Sequence, residues 1–157
     1  ENKDIQLIQL HKLNSVCVAL KRKLMVELII PEGYLETGTT LGEAMAEVYE
    51  AGIYPFWWKI TALDSKEEWQ KMTKTLDQYD PEVGVIILGK NAPIEQFQTW
   101  FRVARSTPHT CGFAVGRSIF WEPWEQYVGG KLTIKGIADA VAERYNSVLE
   151  IWSKTQD

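Results

Sequence analysis

Four short, nearly unbroken apolar runs recur along this chain at even intervals, and they restrict its fold more than any other feature. They cover residues 24–30, 56–60, 83–88 and 112–116, with first residues 32, 27 and 29 positions apart. A strand with one face in water alternates apolar and polar residues, whereas a strand covered on both faces reads as a continuous apolar run. Runs of this kind, with helical patterns between them, predict parallel strands joined by helices.

The intervening segments carry those helical patterns. Leu10, Leu13, Cys17 and Leu20 form an apolar stripe before the first run. Thr40 and Glu43 read as a capping box opening a helix with Leu41, Ala44, Met45 and Val48 inward, closed by Gly52. Ser65 and Glu68 read as a second box, ahead of Trp69, Met72, Leu76 and Tyr79 at helical spacing. Pro93 suits the first turn of a helix that buries Ile94, Phe97, Phe101 and Ala104. Pro123 is expected to start a short helix, Gly129-Gly130 to end it, and residues 134–152 to form a long last one.

The predicted order is α-β-α-β-α-β-α-β-α in one domain over residues 1–157. A doubly wound sheet and a (β/α)₈ barrel both have this grammar. A complete barrel takes roughly 250 residues, so four strands in 157 residues amount to about half of one. The expected fold class is α/β, the C-terminal half of a TIM barrel; a small open sheet is the alternative. The other half is expected from a missing N-terminal half-barrel or from a second copy, and a homo-oligomer is expected.

Composition narrows function mainly by exclusion. A net charge of −4 and a pI near 5.3 give no electrostatic footprint for nucleic acid. No apolar run reaches the ~18 residues of a membrane span. Cys17 and Cys111 lack CxxC spacing, which points to a reducing cytoplasm. His11 and His109 stand far apart without metal-ligand spacing and are expected at the surface or in loops; no metal or cofactor is expected. Trp69, Trp100, Trp121, Trp124 and Trp152 are read as packing residues, with Trp121 and Trp124 also placed to wall a pocket. No Walker loop, GxGxxG or GxSxG occurs.

Two ionisable residues interrupt apolar runs. In Trp57-Trp58-Lys59-Ile60, alternation puts Trp57 and Lys59 on one face and Trp58 and Ile60 on the other. An ammonium desolvated at a strand end tends toward the neutral amine, the form a Schiff-base nucleophile needs. Glu27 breaks the preceding run, where a carboxylate should not be buried alone. The pair reads either as a proton-shuttling catalytic couple or as a structural ion pair. The turns Leu88-Gly89-Lys90-Asn91 and Val115-Gly116-Arg117-Ser118 end the last two runs. Gly89 and Gly116 let backbone N–H groups approach an anion, while Lys90 and Arg117 add charge. Plain turn chemistry with surface charge is the other reading.

Three segments together carry a family resemblance: residues 52–59 (GIYPFWWK), 87–93 (ILGKNAP) and 112–123 (GFAVGRSIFWEP). They resemble a bacterial aldolase-like domain found fused behind 5-dehydro-2-deoxygluconokinase in inositol catabolism. That domain is similar to the tagatose-1,6-bisphosphate aldolases, class I (β/α)₈ barrels that use a lysine Schiff base. The resemblance implies that these are strands five to eight, with Lys59 as the Schiff-base lysine and Glu27 as the acid of strand five. It implies that Gly89, Gly116 and Arg117 bind phosphate. The implied substrate is a phosphorylated sugar acid, 6-phospho-5-dehydro-2-deoxygluconate, cleaved to dihydroxyacetone phosphate and malonate semialdehyde. Where the tagatose family reads Lys-Val-Glu, this chain has Lys59-Ile60-Thr61. A non-catalytic phosphosugar-binding or interaction domain is the alternative function.

Overall fold

In a computed structural model, which describes residues 2–31 and 33–155, each apolar run contributes one strand. The strands are β1 (Met25–Glu27), β2 (Trp57–Thr61), β3 (Gly84–Leu88) and β4 (Thr110–Ala114). The helices are α1 (Asn2–Ala19), α2 (Gly38–Glu50), α3 (Lys66–Tyr79), α4 (Gln96–Ala104), α5 (Arg117–Val128) and α6 (Ile134–Lys154). All strand pairs are parallel, in the order β1-β2-β3-β4. Chain order and spatial order coincide, so this sheet has none of the reversal that defines a doubly wound fold.

Alternation along the strands separates two faces. Trp58, Ile60, Val85 and Ile87 are fully buried and join Leu41 and Met45 of α2, Trp69 and Met72 of α3, and Phe97 and Phe101 of α4 in one core. The opposite face carries Met25, Glu27, Trp57, Lys59, Ile86 and Cys111, all at least partly exposed. A slip in pairing between Val85 and Ile86 brings Gly112, not Cys111, opposite Ile86. The strands therefore have a helix-covered side and an open side.

Several element boundaries differ from those expected. The first strand covers only Met25–Glu27; Pro31, which has no N–H to give a ladder, lies just beyond, and Ile29 is exposed. Helix α2 opens at Gly38, and its cap is Thr37, whose hydroxyl accepts from the Thr40 N–H at 3.1 Å. Thr40 is thus inside the helix it was expected to cap. Ser65 does cap α3, accepting from the Glu68 N–H. The Glu68 carboxylate, however, reaches the Gly38 N–H at 2.7 Å and Lys71, not back to its own cap. Gly38 has to be glycine here, because an added Cβ would lie 1.8 Å from the Glu68 carbonyl oxygen.

On α1 the packed residues are Leu7, Leu10 and Cys17, while Leu13 and Leu20 are exposed. Helix α4 starts at Gln96, three residues past Pro93, after a turn closed by the Gln96 N–H on the Pro93 carbonyl. Helix α5 begins at Arg117 and holds a buried Pro123 in its interior. Proline there leaves the Ile119 carbonyl without its helical N–H. The early start is supported from outside: Arg144 of α6 donates to the Ser118 carbonyl at 2.9 Å and to Glu122 at 2.7 Å. Among the described residues no helix is long and apolar enough to cross a membrane.

Candidate functional site

Parallel strands all end at the same edge of a sheet, so the residues at and after their carboxyl ends converge. A cleft of about 430 Å³ opens at that edge, on the open side. Its lining includes Glu27, Lys59, Gly89, Lys90, Gly116 and Arg117, together with Thr61, Leu88, Ser118 and Phe120. All six residues singled out from the sequence meet there.

Glu27 and Lys59 are register partners on adjacent strands, so their side chains leave the sheet side by side. The Lys59 Nζ lies 3.2 Å from Glu27 Oε2. The lysine side chain is 19% exposed and the glutamate 43%, so the amine is the sheltered member of the pair. Lys59 is the third of five residues in β2, on the cleft side as alternation predicts. Thr61, two residues on, belongs to the same lining.

The glycine turns are packed together. An added Cβ at Gly89 would lie 2.8 Å from Val115 Cγ1 and 3.0 Å from Ser118 Oγ, so only glycine permits the β3 and β4 ends to approach this closely. The buried Ser118 hydroxyl donates to the Gly89 carbonyl at 3.4 Å. Arg144, holding the Ser118 carbonyl, braces the same turn from α6. No side chain caps α5 after Gly116, whose first residues, Arg117 and Ser118, line the cleft, and the start of a helix favours an anion. Arg117 is exposed, and among the described residues its guanidinium has no hydrogen-bond or ion-pair partner.

Lys90 is differently placed. Its ammonium forms an ion pair with Glu36 at 2.6 Å, so this cation is engaged. Sequence reading missed Glu36, Ser118 and Arg144. Ser118 follows the Gly116-Arg117 turn directly and its neighbourhood was the available signal. Glu36 lies in irregular chain and Arg144 on a distant helix, and neither carries a local pattern.

Other expectations for reactive residues are corrected or bounded by geometry. His109 lies in the turn before β4, as a loop residue, but is buried and not at the surface: its Nδ1 lies 3.0 Å from the Val83 carbonyl and its Nε2 3.0 Å from Asp77 Oδ1. It precedes β4, at the sheet edge opposite the cleft, and His11 is exposed. Trp121 and Trp124 are about half exposed, each in ring contact with one aromatic neighbour, Phe120 and Tyr127; neither walls the cleft, whose aromatic lining residue is Phe120. Cys111 sits on the open side, where burial pushes its thiol up, away from the thiolate a nucleophile needs. Among the described residues no cluster of three or more His, Cys, Asp or Glu could hold a metal ion. A second depression of similar volume runs along α3 between Glu67 and Asp77. It is the charged outer face of one helix.

No curated protein matches this chain. A family model described as "Uncharacterized protein conserved in bacteria (DUF2090)" matches residues 1–156, and the chain belongs to that family.

Proposed function

We propose that the sheet is the second half of a (β/α)₈ barrel, strands five to eight, and that its cleft performs class I aldolase chemistry on a phosphorylated keto sugar acid. The observation that supports this reading is the sharing of one cleft by Lys59, its acid partner Glu27 and the Gly89, Gly116 and Arg117 anion elements. Barrel enzymes place chemistry at this end of the strands and often hold phosphate with the loops after the last two.

In this reading the Lys59 ammonium first gives its extra proton to a base, for which Glu27 is in reach. The free amine adds to the substrate ketone, and the carbinolamine loses water to form an iminium ion. The resemblance points to 6-phospho-5-dehydro-2-deoxygluconate as substrate. Removal of the proton from its C3 hydroxyl breaks the C3–C4 bond, and the electron pair moves into the iminium to give an enamine. Malonate semialdehyde leaves. Protonation of the enamine at C4 and hydrolysis of the imine return dihydroxyacetone phosphate and free Lys59. Arg117 and the Gly89 and Gly116 backbones hold the phosphate throughout. A cytoplasmic homo-oligomer, associated with a sugar kinase, is the setting this reading proposes.

The test is borohydride reduction of the intact protein with dihydroxyacetone phosphate, followed by peptide mass spectrometry. A reduced adduct on Lys59 is expected; an unmodified Lys59 despite saturating ligand refutes the mechanism. The register ion pair itself favours a second reading, in which Lys59 and Glu27 are structural and the cleft only binds a phosphosugar. Binding that persists in Lys59→Ala, with no adduct and no cleavage in the wild type, identifies that case.

A further inference from the structure

Three cations line the cleft, and two of them already face a carboxylate. Lys59 meets Glu27 and Lys90 meets Glu36, while Arg117 has no such partner among the described residues. The two pairs differ in place. Glu27 lines the cleft, whereas Glu36 stands outside the lining, in the segment between β1 and α2. Its side chain is only 17% exposed, and its second oxygen, Oε1, is buried with no hydrogen-bond partner. Lys90 is therefore the sole described charge partner of a largely desolvated carboxylate, at 2.6 Å, an arrangement that is costly to break without a replacement.

The turn that carries Lys90 is also held out of its preferred conformation. Lys90 and Asn91 have φ values of 45° and 61°, left-handed backbone that a lysine enters only when its surroundings hold it there. The turn closes through the Ala92 N–H on the Gly89 carbonyl at 2.8 Å, and the ion pair ties it across to the chain after β1. A phosphate monoester entering the cleft meets one uncommitted cation, Arg117. It gains a second by taking a lysine from its carboxylate, and Lys90, beside Gly89 and on the same side as Arg117 in the lining, is the one whose partner Glu36 stands outside the cleft.

We propose that Glu36 is a positioning residue that sets the anion affinity of the cleft, acting as the counter-ion that a bound phosphate displaces from Lys90. This rests on reading the cleft as an anion site. Neutralising Glu36 removes the competitor, so Glu36→Gln is expected to bind inorganic phosphate about fivefold more tightly, by calorimetry on the intact protein. Lys90→Met is expected to weaken binding and to abolish the gain in the double variant, and Glu36→Asp to return affinity toward wild type. A merely structural role for Glu36 predicts loss of affinity, not gain. Binding by the wild type that is unchanged or weakened in Glu36→Gln overturns the proposal and leaves the anion reading standing. Absence of phosphate binding in both proteins overturns the two together. Hydrogen exchange of the unmodified protein gives a check that needs no variant: saturation with phosphate should speed exchange over residues 33–37. Unchanged or slower exchange there also overturns the proposal.

Discussion

Trp57 and Trp58 are chain neighbours on one strand, yet they belong to regions with opposite tasks. Trp58 faces the helices, is fully buried, and donates its indole N–H to the Tyr49 hydroxyl at 2.8 Å. Tyr49 in turn stacks on Tyr79, with ring centroids 5.2 Å apart. Trp57 faces the open side, packs edge-on against Phe56, and has the Lys23 ammonium 5.3 Å from its ring. The covered face is a closed aromatic and aliphatic core. The open face carries Glu27, Lys59 and the approach to the cleft. A strand can thus serve stability with one set of alternate residues and chemistry with the other, because adjacent side chains share a backbone but no environment.

The largest expected effect separates the two tryptophans. Trp58→Ala removes a fully buried indole and strands the Tyr49 hydroxyl, so urea unfolding should show a loss of about 3–5 kcal/mol. Trp57→Ala should cost less than half of that. Equal losses would break the comparison and show that the open face is covered in solution.

The second effect comes from pH. Burial, partly offset by the Trp58 N–H, pushes the Tyr49 phenol up to about 12, against about 10 in an unfolded chain. The folded state holds this proton longer, so the contribution is complete below pH 10 and disappears as pH rises through 12. It amounts to roughly 2–3 kcal/mol. Alkaline unfolding followed by circular dichroism should steepen in that window, and a flat stability profile between pH 10 and 12 would contradict the enclosed state assigned to the covered face.

The smallest effect on stability is expected on the open face. Glu27→Gln and Lys59→Met should each change unfolding free energy by less than about 1 kcal/mol, since a partly exposed pair contributes little. Lys59→Met should nevertheless abolish borohydride trapping. A loss of several kcal/mol from either substitution would move the pair to the structural side of the comparison.

Much of this division is readable locally. Strand positions follow from apolar runs, and their two faces from simple alternation, which is why Lys59 and Trp57 come out on one side and Trp58 and Ile60 on the other. The cleft residues at Gly89 and Gly116 were legible because parallel strands must end together. Helix starts were less so: Thr37 and Thr40 are equally good caps by type, and the choice depends on the Gly38 N–H meeting Glu68 across the α2–α3 contact. Pro123 marks a helix start in isolation, but the α5 turn before it is held by Arg144, 26 residues from Ser118 in sequence. His109 gave no sign of burial, since its two polar partners, Val83 and Asp77, are 26 and 32 residues away.

The sequence by itself determined the repeating βα order, the parallel sheet it implies and the list of residues able to meet at its carboxyl edge. These rest on periodicity, which is a property of neighbours along the chain. Tertiary structure alone decided which cations stand free and which are engaged, with Lys90 drawn to Glu36 and Arg117 left uncommitted. Charge pairing depends on distances between segments that no local pattern encodes, and electrostatic energy changes steeply over those few ångströms.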